Sequence, residues 1–219
     1  MRSYYTSLLA CLLLSASVHC TAQDTPGFPR LYAGIYASAG NYPIFYPRET
    51  TSYLIASKPV QVGVGYRFTP QWAIQVGYTG SRQAFHDAGG YIGSTGQAVA
   101  YDTRDTQRNT ALPLLARYTV TRRTSHRLQF DALAGITVVW ASYHKQGYRT
   151  ENGATVFQEN RANRATNAFL TVGPSLRYVL GKHLQLTGAV AVHKSLHKAS
   201  ASPGLGTSVS AGVQYLFGK

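Results

Sequence analysis

The residues best suited to chemistry lie in one short stretch, "VHKSLHKAS", residues 192–200. On an extended chain His193, Ser195 and His197 share one face, while Lys194, Leu196 and Lys198 share the other. A histidine beside a serine is the minimal pair for acyl chemistry, the imidazole taking the proton of the attacking hydroxyl. The two histidines make a poor metal site, since four residues along a strand separate them by ~13 Å and one ion with ~2 Å bonds does not bridge that gap. Cysteine chemistry is confined to Cys11 and Cys20, and the glycines from Gly89 and Gly90 through Gly96 lack the lysine and the strand-to-helix setting of a phosphate loop.

The elements that must position these groups are strands. The stretch "VQVGVGYRFTPQWAIQVGY", residues 60–78, sets Val60, Val62, Val64, Tyr66 and Phe68 against Gln61, Gly63, Gly65 and Arg67, turns at "TPQ", and alternates again. Period-two alternation is the mark of a half-buried strand, and Pro70 fits a tight turn. The same reading gives eight strands, at 30–39, 58–68, 71–85, 110–121, 127–143, 166–180, 183–196 and 207–217. The connections after the second, fourth and sixth are short. Those after the first, third and fifth are long and polar, and the one between the seventh and eighth, "HKASASPG", is intermediate.

Composition says what the apolar faces meet. Charged residues are 13% of the chain, about half the ~25% usual in soluble domains. No segment after the leader has the length of a transmembrane helix, so a membrane span must be built from strands. The leader itself, residues 1–22, combines Arg2, an apolar run at 8–18 and the small residues before Gln23, a secretory signal pattern. Its removal deletes one of 21 basic residues and none of eight acids, lowering the net charge from +13 to +12. It also removes both cysteines, leaving residues 23–219 as one domain without a disulfide. The basic balance points to lipid phosphates, and the leader argues against nucleic acid.

Eight alternating strands with short turns on one side and long loops on the other predict an all-β, eight-stranded antiparallel up-and-down transmembrane barrel, with the turns in the periplasm. On the fifth strand Phe130 and Trp140 lie ten residues apart on the apolar face, ~25 Å along the membrane normal at a tilt near 40°, the spacing of two aromatic girdles. Descending strands repeat a polar residue before an aromatic one, at Arg67-Phe68, Arg117-Tyr118, Arg177-Tyr178 and Gln214-Tyr215. With Trp72, Phe130 and Phe217 these aromatics form a lower belt, and the bare faces line a narrow lumen.

The leader, the strand count, the loop asymmetry and the closing "GVQYLFGK" resemble the small outer-membrane β-barrel family that contains the OmpA transmembrane domain, OmpX and the porin-family β-barrel domains. The resemblance spans about residues 30–219 and implies an outer-membrane location. It also implies contact with outer-membrane lipids, lipopolysaccharide and the barrel-insertion machinery, and a structural or surface-interaction role in the extracellular loops. No cofactor, metal or enzymatic activity is expected. One departure is the terminus, where Phe217 is followed by Gly218-Lys219. A small passive channel is the alternative. An outer-membrane lipid A deacylase also looks similar in having a His-x-Ser pair on a barrel strand, which would make His193 the base and Ser195 the nucleophile. Parity turns both into the lumen, away from acyl chains, because Val190, Val192 and Lys194 continue the lipid face. Lys194 and Lys198 are instead expected to reach lipopolysaccharide phosphates at the outer interface.

Asp131 is the one acid inside a predicted span. A buried carboxylate needs a cation, and a hairpin centred near Thr124 would set Arg117 opposite Asp131 and Tyr118 opposite Phe130. Arg67 and Arg177, at similar height, are expected to complete a polar cluster that plugs the lower lumen.

Overall fold

The computed structural model describes residues 30–42, 59–94, 96–121, 126–196 and 205–217. Within them eight strands form a closed antiparallel barrel: β1 Leu31–Asn41, β2 Val60–Arg67, β3 Trp72–Ile92, β4 Ala98–Thr119, β5 Leu128–Glu151, β6 Ala154–Val179, β7 Leu184–Ser195 and β8 Leu205–Phe217. Each strand pairs with its neighbours in sequence, and β1 closes on β8 from Leu31 opposite Phe217 to Asn41 opposite Thr207. Closure removes every edge within the ring, which any strand-built membrane span requires.

Side chains sort by parity as the alternation requires. Leu128, Phe130, Ala132, Ala134, Ile136 and Trp140 of β5 are exposed, while Gln129, Asp131, Leu133, Thr137 and Val139 are buried. The outward aromatics at the short-turn rim touch in pairs, Trp72 with Tyr118 at 4.8 Å and Tyr215 with Phe217 at 5.0 Å between ring centres. The bareness of the second strand has a steric cause. A Cβ on Gly65 would lie 2.1 Å from Cζ of Tyr32, and one on Gly63 would lie 3.3 Å from Cε2 of Tyr36. Two tyrosine rings of β1 fill the space that these glycines leave.

Two expectations are corrected. The connections at 86–109 and 145–165, expected as loops, are largely strand. The β3–β4 ladder runs up to Ile92 opposite Ala98, and β5–β6 to Glu151 opposite Ala154. Apart from Val99, Gln107 and Asn109, the described residues of these extensions are at least partly exposed on both faces, so they carry no apolar alternation to reveal them. The second hairpin closes through Asn152 (φ 50°) and Gly153 (φ 84°), the left-handed pair that a two-residue hairpin turn requires.

The second correction is the β4–β5 register. Tyr118 lies opposite Ala132, Thr119 opposite Asp131 and Arg117 opposite Leu133, a slip of two residues from the expected pairing. A two-residue slip returns every side chain to its own face, so hydrophobic alternation cannot detect it. Residues 122–125, which turn this hairpin, are outside the described residues, as are 1–29, with the expected leader, and Gly218-Lys219.

Candidate functional site

The lower lumen holds a hydrogen-bonded polar cluster with members from all eight strands. At its centre Asp131 receives two bonds from Arg177, Nε to Oδ2 at 2.5 Å and Nη2 to Oδ1 at 2.7 Å, and one from Thr119 Oγ1 at 2.8 Å. The planar guanidinium fork matches the two carboxylate oxygens, the geometry in which such a pair is strongest. Arg177 Nη2 also donates to Thr119 Oγ1 at 2.7 Å. Arg117 Nε stands 3.8 Å from Asp131 Oδ2, within ion-pair range and beyond a hydrogen bond. The cation expected opposite Asp131 is therefore its outer partner, and Arg177 is the inner one.

Glutamines accept from other guanidinium nitrogens, while Arg117 Nε is left without a hydrogen bond. Arg117 donates to Gln75 at 2.7 Å and Gln214 at 3.4 Å, and Arg67 donates to Gln185 at 2.8 Å. Gln214 passes the network to the Tyr36 hydroxyl at 2.9 Å, and the Tyr32 hydroxyl donates to Gln75 at 3.2 Å. The guanidinium carbons of Arg67 and Arg117 each lie 5.5 Å from the centre of the Tyr32 ring, in cation–π range. Arg67, Arg117, Asp131 and Arg177 are thus brought together, each no more than 7% exposed. The sequence placed Gln214 beside an aromatic at the same rim but did not assign it, Gln75 or Gln185 to the cluster. Their signal was polar character at inward positions near the short-turn rim.

Above the cluster lies a cavity of ≈ 60 Å³, lined by Gln61, Thr79, Thr187 and Ser210 among others, with room for a few waters. It is followed by a chain of hydroxyls and imidazole. Thr137 Oγ1 meets Thr171 Oγ1 at 2.7 Å, Thr171 meets His193 Nδ1 at 2.9 Å, and His193 Nε2 meets Ser208 Oγ at 2.8 Å. Tyr42 covers this chain, 4.5 Å from the His193 ring and 5.5 Å from Phe169, and Phe169 packs with Ala111 and Val139. Both ring nitrogens of His193 are therefore engaged by groups other than Ser195, whose Oγ accepts from Asn167 at 2.9 Å. The hydroxyl beside Nδ1 cannot supply the charge that a carboxylate gives an imidazolium in acyl transfer. His197 and Lys198 are outside the described residues. Lys194 faces outward on β7, opposite Leu170 of β6.

A strand barrel that is apolar outside and filled with polar side chains inside is a membrane-spanning barrel. The chain belongs to the outer membrane protein beta-barrel domain family, whose model matches residues 8–217, and its location is the outer membrane. Among solved structures it is similar to Ail, the attachment invasion locus protein of Yersinia pestis (11% identity, 86% of this chain and 97% of that one, TM-score 0.40). It is also similar to the N-terminal β-barrel domain of Pseudomonas aeruginosa OprF (12%, 88% and 100%, 0.42) and to OprG of the same organism (11%, 86% and 96%, 0.43). Among curated proteins none matches the sequence at a significant level.

Proposed function

We propose that the chain is a closed outer-membrane barrel whose role is surface interaction, carried by sheet that stands outside the membrane. The observation behind this reading is the inequality of the strands. β3 to β6 have 21, 22, 24 and 26 residues, whereas β1, β2, β7 and β8 have 11, 8, 12 and 13. A tilted strand crosses the hydrocarbon in about 9–11 residues, so roughly half of each long strand lies beyond it. The β2–β3 ladder ends at Val60 opposite Gly80, and the β6–β7 ladder ends at Phe169 opposite Ser195. Above those points β3 to β6 continue as a four-stranded sheet on one side of the rim. Short turns lie in the periplasm in barrels of this kind, which puts the sheet at the cell surface.

This sheet offers a shallow polar groove of ≈ 410 Å³, lined by Asp102, Arg104, Gln146, Tyr148, Gln158 and Glu159. Donors, acceptors, both charges and one aromatic ring suit a polar partner. The lumen favours a closed barrel over a passive channel, because the Arg–Asp–Gln cluster occupies its lower part and Tyr42 with Phe169 its upper part.

An epitope placed at the β3–β4 tip, between Gly93 and Gln97, is expected to bind antibody on intact cells. Access only after rupture of the outer membrane would reverse the topology. In planar bilayers the purified protein is expected to give no unitary conductance steps, and regular steps would replace this reading with the channel.

A further inference from the structure

The outer wall of β3 to β6 carries arginines that nothing in the barrel explains. Arg82 of β3 lies directly opposite Arg108 of β4, Arg108 opposite Ser142 of β5, and Ser142 opposite Arg164 of β6. All four side chains face outward in one row across the sheet, and the three arginines are exposed. Like charges directly opposite on a ladder repel. Among the described residues none of the three arginines has a hydrogen-bond or ion-pair partner. The nearest outward acid on these strands is Asp102, six residues or ~20 Å further along β4, where His86 and Arg104 engage it.

The height of the row narrows the choice of counter-anion. The next row toward the membrane is Gly80, Thr110, Trp140 and Thr166, so the arginines stand just beyond the upper tryptophan, where lipid headgroups lie. Two guanidiniums side by side on a ladder suit one phosphate, each offering parallel N–H donors. Arg164, two strands or ~10 Å from Arg108 with the Ser142 hydroxyl between them, suits a second.

Below the row the wall is hollow. Four residues down from Arg82 and Arg108 lie Tyr78 and Leu112, where the β3–β4 ladder is interrupted beside Pro113, which has no N–H to donate. From there a groove of ≈ 610 Å³ runs over β2 and β1, lined by Ile35, Val62, Val64, Val76, Tyr78 and Leu112. Its apolar lining matches an acyl chain and nothing polar.

We infer that this wall binds a diphosphorylated, acylated glycolipid of the outer leaflet, with its phosphates on Arg82, Arg108 and Arg164 and an acyl chain in the groove beneath Tyr78. A phospholipid with one phosphodiester would answer only one end of the row. The inference depends on the outer-membrane location and is independent of the role proposed for the projecting sheet.

The test uses the full chain refolded in a neutral detergent and titrated with diphosphoryl lipid A, monophosphoryl lipid A or phosphatidylglycerol, with bound lipid counted by native mass spectrometry. Diphosphoryl lipid A is expected to bind on the order of tenfold more tightly than either other lipid, and Arg82→Gln/Arg108→Gln to remove that margin. Arg104→Gln, which removes one charge from the same face further out, is expected to keep it. Equal affinity for phosphatidylglycerol would reduce the site to a general attraction for anionic lipid and overturn the inference. Equal losses in Arg104→Gln and in the double variant would do the same. Folding is followed separately by heat-modifiable migration. Without lipid the double variant is expected to melt no lower than the wild type, because a repulsion has been removed. A lower melting point would show that the pair has a partner within the protein and would also overturn the inference.

Discussion

Asp131→Asn is the most informative change in the lumen. The amide keeps the shape of the carboxylate and can still meet Thr119, but the one negative charge among Arg67, Arg117 and Arg177 is lost. Breaking a buried pair from one side typically costs about 3–5 kcal/mol, because the surviving charge is left without compensation. Here three guanidiniums survive, so the upper part of that range is expected. The two-bond geometry to Arg177 and the 3.8 Å separation from Arg117 make the loss unequal between partners. In double-mutant cycles Asp131 should couple to Arg177 by about 2–3 kcal/mol and to Arg117 by less than about 1 kcal/mol. Urea unfolding of the refolded barrel in vesicles, followed by heat-modifiable migration, gives these free energies. A loss below about 0.5 kcal/mol for Asp131→Asn, or a coupling to Arg117 as large as that to Arg177, would refute the account of the cluster.

Gly65→Ala should destabilise by about 1–3 kcal/mol, because its Cβ would enter the Tyr32 ring, and Gly65→Ala in a Tyr32→Leu background should cost much less, both read by urea unfolding. Asn152→Val should weaken amide-exchange protection at the β5–β6 tip without changing barrel stability, whereas Asn152→Gly should leave the tip intact, since a left-handed φ is costly for a branched residue. Lys145, on the projecting sheet, has a pKa raised above the usual 10.5, chiefly by its hydrogen bond to Glu159 at 3.1 Å. A raised folded value means that the pair's contribution is complete below about pH 10 and fades as pH rises through the folded pKa. The side chains are partly exposed, so that contribution is small. Glu159→Gln should bring the Lys145 titration back down, measured by NMR of the lysine side chain.

Much of this architecture was legible because a barrel wall separates two solvents, and alternation reports which solvent each side chain meets. It identified the outward Phe130 and Trp140 and the inward Asp131, Arg117, Arg67 and Arg177. Alternation is blind to a slip of two residues, so it could not rank Arg177 above Arg117 as the partner of Asp131. That choice depends on the length of the β4–β5 turn. The projecting hairpins were illegible for a related reason, since strands wetted along most of both faces have no apolar period. Asn152-Gly153 was nevertheless a readable hairpin signal within the supposed loop. The row of arginines could not be found from parity alone, because Arg82 and Arg108 become neighbours only once the β3–β4 register is known.

The composition of the lower lumen remains a physical puzzle, since well-packed apolar residues can match or exceed the stability of a buried ion pair. Its geometry suggests why polar groups suit this position. Tyr36 of β1 bonds to Gln214 of β8, across the seam where the barrel closes, and Gln214 and Gln75 then hold Arg117 of β4. Arg177 of β6 reaches Asp131 of β5 and Gln185 of β7, and Gln185 in turn holds Arg67 of β2. These bonds join residues up to 178 apart in sequence, so few can form before the ring is complete. An apolar filling would reward any compact arrangement of the strands, whereas directional bonds with charged members penalise every arrangement that leaves one unpaired. A lumen of this kind makes closure and register parts of the same cooperative event. Polar substitution to Leu at Gln214 should therefore impair closure of the β1–β8 seam more than it impairs the hairpins, which pair locally.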